Sequence, residues 1–269
     1  MTSQARPLEL GAHVDQADPI AEAQARGVRL VQHFIGDPQS WKAQSVAYPG
    51  GADALKQAAE QAGIGIYVHA PYVINVASTN NRIRIPSRKL LQQQVSAAAA
   101  IGARGVIVHG GHVGAGEELL AGYENWFKAV EGLRLDCPIF IENTAGGANA
   151  MARTVAGIES LWEAVSAASG AADVGFCLDT CHAHASGEDL TNLVERIRAI
   201  TGRIDLVHAN DSRDAPGSGA DRHAHLGRGQ ADPEFIMQVI TDAAAPVIIE
   251  TKGNLTDQIT DLNWIRARL

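Results

Sequence analysis

The chain has 269 residues, 46% hydrophobic and 19% charged, with a formal net charge of −8. That composition excludes a disordered chain, and the length suits one α/β barrel, which typically takes about 250 residues. No apolar run approaches the roughly 20 residues needed to span a bilayer, and the opening MTSQARPLEL holds no apolar signal core, so a cytoplasmic protein without a membrane partner is expected.

In chain order, short β-branched runs alternate with longer alanine-rich segments of helical pattern. Strands are predicted near 8–13, 28–34, 64–69, 105–109, 138–142, 174–179, 204–208 and 246–250. Helical patterns follow them, such as 52–62, 87–102, 118–133, 158–169, 190–201, 233–243 and 258–269. Pro233 reads as a first-turn helix proline, and Gly63, Gly102 and Gly202 as helix-ending glycines. Eight strand–helix units with no composition break predict a single α/β domain over 1–269, a (β/α)8 TIM barrel. Catalytic groups of that fold sit at the C-terminal ends of the strands. The longest irregular stretches, 70–86, 143–157 and 210–231, each follow a strand that ends on a polar residue.

Six strands share one plan, in which an apolar run ends on a residue able to bind a metal. They read IYVHA (His69), VIVHG (His109), IFIEN (Glu142), GFCLD (Asp179), DLVHA (His208) and VIIET (Glu250). A strand core needs no such side chain, and an isolated buried charge is expensive unless paired or bound to metal. With His182, Asp221 and His223 close by, nine nitrogen and oxygen donors exceed the needs of one ion. Mixed imidazole and carboxylate donors suit zinc or manganese better than magnesium. Clustered divalent ions lower the pKa of bound water and offset charge on attacking and leaving oxygens, a chemistry suited to phosphate esters.

His13, His33, His112, His184 and His225 fall outside this set, as supporting, surface or loop residues. His33 is either a buried neutral histidine or an extra polar group near a binding channel. Cys177 is expected to fill the strand core and Cys181 to pack beneath the site, leaving Cys137 and no disulfide framework. The glycine pairs 110–111 and 146–147 are expected to let backbone approach a phosphate. Acidity argues against a nucleic-acid partner. However, 17 of the 22 basic residues are arginines, the better bidentate partner of phosphate, so charge leaves that question open.

The segments YVHAPYVINVAS, VIVHGGHVG, IFIENTAGG, FCLDTCHAHASG, LVHANDSR, DRHAHLGRG and IIET together resemble deoxyribonuclease IV, the endonuclease IV type of apurinic/apyrimidinic endonuclease. GDPQSWK after the second strand is similar to the Gram-positive, actinobacterial form. The resemblance implies three zinc ions, with manganese as a substitute. His69 and His109 would hold the first, and Glu142 would bridge it to a second completed by Asp179, His208 and Glu250. His182, Asp221 and His223 would hold the third. Catalysis would rest on Glu142, Asp179 and Glu250, with a metal-bridged hydroxide as nucleophile and the third ion at the leaving oxygen.

The implied reaction cleaves the phosphodiester 5′ to an abasic site, leaving a 3′-hydroxyl and a 5′-deoxyribose phosphate, and removes 3′-blocking groups. The implied partner is double-stranded DNA with abasic sites or blocked 3′ ends, acted on by a monomer in the bacterial cytoplasm at the nucleoid. Tyr72 and Val73 match the position that enters the base stack. Gln39, Ser40 and Trp41 match a minor-groove loop, here without an arginine. Arg222, with Arg82, Arg84, Arg88, Arg153, Arg213 and Arg228, stands in or beside the same loops. The alternatives are a metal-dependent sugar isomerase or epimerase, which has no use for the trio His182, Asp221 and His223, and a lesion-binding protein with structural metals.

Overall fold

The computed structural model describes residues 8–42 and 45–269; the reading of the first seven residues, and the part of the domain assignment that covers them and residues 43 and 44, lies outside the described residues. In chain order the elements are β1 Leu10–His13, α1 Pro19–Arg26, β2 Leu30–Phe34, α2 Gly51–Ala62, β3 Gly65–His69, α3 Asn81–Ala100, β4 Val106–His109, α4 Leu119–Gly132, β5 Ile139–Glu142 and α5 Val155–Ser166. The chain continues through β6 Val174–Asp179, α6 Thr180–Ser186, α7 Leu193–Thr201, β7 Leu206–His208, β8 Asp211–Ser212, β9 His223–Ala224, α8 Pro233–Ala243, β10 Val247–Ile249 and α9 Leu255–Arg266. Eight strands close a barrel in the order β1-β10-β7-β6-β5-β4-β3-β2, every neighbouring pair parallel. The expected TIM barrel is what forms. The extra pair β8–β9 is a small antiparallel hairpin in the long loop after β7.

Strand side chains alternate between faces, and that alternation divides the core. Outward residues such as Val31, Val68, Val108, Ile141, Leu178 and Ile249 join the main cluster with the surrounding helices. Each such side chain, fully buried, contributes about 1.5–3 kcal/mol. Leu30, Tyr67, Ile107, Phe140, Cys177, Leu206 and Ile248 form a second cluster, one from each strand but β1. There Gly11 takes the place, because a Cβ would stand 2.6 Å from both Ile248 Cδ1 and Leu30 Cβ. This inner layer plugs the barrel and floors everything above it.

Local chemistry explains most helix ends. Asp18 and Asp232 cap α1 and α8 ahead of Pro19 and Pro233, and Gly63 and Gly202 end α2 and α7 in the left-handed region. Gly102 follows the α3 cap with φ +69°. Two helices depart from the sequence expectation. α3 starts at Asn81 rather than 87: Asn80 caps it and Pro86 sits inside, forfeiting one backbone bond while Ser87, Leu90 and Leu91 are buried behind it. α6 forms between the expected strand 174–179 and helix 190–201, where no element is assigned, because Asp179 caps it and all seven of its residues are buried.

Candidate metal centre

Two residues beyond each inner-layer position, the strand returns to the inward face. From Gly11, Leu30, Tyr67, Ile107, Phe140, Cys177, Leu206 and Ile248 that step arrives at His13, Gln32, His69, His109, Glu142, Asp179, His208 and Glu250. A ring of polar side chains therefore lies directly on an apolar floor at the C-terminal mouth. Six of the eight are the strand-end residues that the sequence pattern singles out. That pattern leaves His13 outside the set and passes over Gln32, although the same two-residue step in LGAH and LVQHF reveals both.

Glu142 is the centre. It is fully buried, with Oε2 3.3 Å from both His69 Nε2 and His109 Nε2. Its Oε1 is 3.0 Å from His208 Nδ1 and 3.3 Å from His182 Nδ1. Donor atoms gather into three groups: His69, His109 and Glu142; Glu142, Asp179, His208 and Glu250; and Asp179, His182 and His223. The first two coincide with the sets the resemblance implied. In the third, Asp221 also stands close, its Oδ1 3.2 Å from both His182 Nε2 and His223 Nε2. The nine selected residues converge at one mouth, and Asp179 lies within reach of two groups.

Several rings have already committed one nitrogen. His69 Nδ1 and His182 Nδ1 each lie 2.8 Å from a backbone carbonyl, of Ala70 and Asn143, leaving Nε2 to face carboxylates. A carboxylate only accepts, so a neutral ring would set lone pair against lone pair unless a proton or a cation lies between. Glu142 Oε2, His182 Nε2 and His223 Nε2 are buried without a hydrogen bond. These side chains fit a divalent cation. Without one, protons take its part: burial opposes charge on His69, His182, His208 and His223, yet the facing carboxylates, aided by Cys177 at His208, raise all four above the usual imidazole value.

Burial likewise opposes charge on the acids, but the histidines hold Glu142 well below the carboxylate range and bring Glu250 down to about 2. Asp221 is lowered by His182 and His223 against the same opposition. At Asp179 burial prevails and the value rises. Burial also drives His13 down to about 3, leaving it neutral.

The supporting contacts explain the motif LDTCHAHASG. Asp179 ends β6 and caps α6, its Oδ1 accepting from His182 N at 2.7 Å, so one residue both faces the site and aims His182 into it. Asn143 holds Asp179 through N–H and carbonyl bonds of 2.7 and 3.0 Å. Asn210 donates to Asp179 Oδ2 at 2.7 Å and to Glu250 Oε2 at 3.2 Å. Neither asparagine stands out in the sequence, because an amide one or two residues past a strand has no signature of its own.

Cys177 lies in the inner layer and Cys181 is buried in α6, with burial pushing both thiols up to about 12. His33 takes the opposite face of β2 from Gln32: it is buried, its Nδ1 is 2.8 Å from the Phe34 carbonyl, and burial lowers its pKa. It is the neutral core histidine, not a channel residue. Two glycines of the pairs 110–111 and 146–147 are needed for the protein's own packing: a Cβ on Gly146 would stand 2.1 Å from the Gly219 carbonyl, and one on Gly110 2.6 Å from Ala152 Cβ.

Over the ring opens a cavity of about 610 Å³, lined by Tyr72, Arg213, Arg222, Lys252 and Gln258 together with His13, His69, His109, His182, Asp221, His223 and Glu250. Tyr72 is 57% exposed, its ring leaning on Phe34, His69 and His109 at 5.2, 5.6 and 6.0 Å. Val73, half-buried, packs its side chain against the core. Gln39 and Trp41 are exposed after β2, with Ser40 half-buried between them. Arg84, Arg88, Arg153 and Arg213 hold backbone carbonyls, and Arg222 pairs with Asp214. Among the described residues Arg82 and Arg228 are the members of this set with no hydrogen bond or ion pair from the side chain.

A closed parallel barrel with a metal-capable cluster at its C-terminal mouth defines a class, and the family pattern described as "Xylose isomerase-like TIM barrel" matches residues 20–268. A Mycobacterium marinum protein named "Probable endonuclease 4" is 55% identical over 260 residues, covering 97% of this chain and 98% of that protein. The crystal structure of endonuclease IV from Thermus thermophilus superposes with a TM-score of 0.82 at 28% identity, covering 96% of this chain and 98% of the other. The chain belongs to the endonuclease IV family of apurinic/apyrimidinic endonucleases. A D-tagatose 3-epimerase-like protein has a TM-score of 0.76 at 18% identity, over 97% of this chain and 96% of that one; this likeness is one of fold alone, and the isomerase alternative is not favoured.

Proposed function

We propose that the chain is one barrel domain that incises duplex DNA on the 5′ side of abasic sites, leaving a 3′-hydroxyl and a 5′-deoxyribose phosphate, and that clears blocked 3′ ends. Three zinc ions, replaceable by manganese, would be held by His69, His109 and Glu142; by Glu142, Asp179, His208 and Glu250; and by His182, Asp221 and His223. Donors about 2.0–2.2 Å from zinc stand about 3.3–3.5 Å apart along the edges of a tetrahedron. The 3.3 Å separations between Glu142 Oε2 and the nitrogens of His69 and His109 support that reading. The single observation that carries it is Glu142, a buried carboxylate whose two oxygens each face two imidazoles.

When bound, divalent ions supply a nucleophile at neutral pH and offset charge on the phosphate oxygens. The chain's own residues do the rest. Glu142, Asp179 and Glu250 act as the catalytic carboxylates that balance the cations, and the histidine rings hold fixed orientations. The buried floor keeps water from entering below. Tyr72, assisted by Val73, would enter the stack where a base is missing, since an abasic nucleotide costs less to extrude. Gln39 would face the minor groove, and Arg82, Arg222 and Arg228 the phosphates. The protein would act as a monomer in the cytoplasm at the nucleoid, and no helix of the described residues is long and apolar enough to cross a membrane.

The test is a duplex carrying one synthetic abasic site, offered to the protein before and after chelation, with bound ions counted by emission spectrometry. We expect incision at the lesion, loss on chelation and recovery with zinc, and two to three ions per chain. Equal cutting of intact duplex, or full activity with no ion bound, overturns the reading.

A further inference from the structure

Gln32 is fully buried, and its neighbours determine which way its amide points. Its Nε2 lies 2.6 Å from Glu250 Oε1; a carboxylate only accepts, so the NH2 group must face it. The second amide hydrogen meets His13 Nδ1 at 3.0 Å. The amide oxygen is thereby turned to His208 Nε2, 2.8 Å away. An amide oxygen only accepts, so His208 carries a proton on Nε2, and Nδ1 is left as the nitrogen whose lone pair can serve a cation. That lone pair points at Glu142 Oε1, 3.0 Å away, and Glu250 Oε2, 3.3 Å away.

His69 and His182 are oriented the other way round, through Nδ1 and a backbone carbonyl. A carbonyl is present whatever residue bears it. At His208 the orienting group is a side chain, and the same side chain occupies the outer oxygen of Glu250. We propose that Gln32 is a positioning residue: it holds His208 in the tautomer that offers Nδ1, and Glu250 in the rotamer that offers Oε2, to the cation shared by Glu142, Asp179, His208 and Glu250. The inference rests on the metal reading above. Partners of this kind fix the ring and tautomer of a ligand, and losing one typically costs about 10–100-fold in metal affinity or activity.

Gln32→Met keeps the chain length and removes both donors and the acceptor. In metal-free protein at a pH above the raised His208 value, imidazole nitrogen NMR should show the single ring proton on Nε2 in the parent and a tautomer mixture in the variant. In the zinc-loaded protein, one ion should pass to a competing chelator about 10–100-fold more readily, while the rest hold as before. On the abasic duplex kcat should fall, with KM unchanged. An unaltered His208 signal together with unaltered ion release overturns the inference. Gln32→Leu, which also lacks the amide, serves the same measurements if the methionine variant does not fold. Failure of the metal reading looks different: the parent itself would then hold no divalent ion.

Discussion

Glu142→Gln replaces the carboxylate shared by two of the three donor groups at the mouth, with almost no change of shape. An amide keeps one accepting oxygen and turns the other into a donor that no cation can use. Oε2 is the sole anionic donor in the group with His69 and His109. Oε1 belongs to the group with Asp179, His208 and Glu250, which retains two other carboxylates. The side chain is buried, so solvent does not screen the loss. Contacts to a charged partner are worth about 1.5–3 kcal/mol each; one for each oxygen gives about 3–6 kcal/mol. At about 1.4 kcal/mol per factor of ten, that is roughly a hundred- to ten-thousand-fold loss of incision. Single-turnover cutting of the abasic duplex measures it, with ion counting alongside, and the count should fall by about one. Incision within about tenfold of the parent, with the ion count unchanged, refutes the central place given to Glu142.

Two further outcomes are expected. In chelated protein, His69, His182, His208 and His223 have values raised above 6.5, so their contribution to stability is complete below that pH and fades as pH rises through the raised values. Glu142 and Glu250, lowered from 4.5, contribute above that value and lose it on acidification, whereas the contribution of Asp179 fades as pH rises from 3.8. The thermal midpoint of chelated protein should therefore decrease as pH rises above 6.5. Zinc-loaded protein should not share that fall, because ligation needs deprotonated imidazole; a flat or rising midpoint without metal would contradict the charge assignment. Tyr72→Ala should weaken abasic-duplex binding by about 5–150-fold, the worth of one stacked base at about 1–3 kcal/mol. Ion content should stay the same, and duplex affinity within about twofold of the parent would remove Tyr72 from the interface.

Much of this protein is written in local pattern. Val, Ile and Leu runs with a period of two form strands wherever a core is available, and a polar residue closing such a run marks the strand end. His69, His109, Glu142, Asp179, His208 and Glu250 were legible for that reason, as were the barrel and the proline and glycine helix ends. Pro86 misplaced the start of α3 because a proline ordinarily ends a helix, whereas here burial of the next turn outweighs the one lost bond. The seven residues of α6 are too few to show a helical period; they are helical since Asp179 caps them and the barrel mouth buries them.

Only closure of the barrel decided the rest. Gln32 comes 218 residues before the Glu250 it touches and 176 before His208, and no local pattern carries such a relation. The nine donors could be named from the chain, but their division into groups, and the reach of Asp179 into two, depend on distances that exist once β1 meets β10. The same closure gave Gly146 its neighbour Gly219 and left His33 facing away from the site. Side-chain type and period are properties of a segment, while which lone pair faces which proton is a property of eight strands held in register.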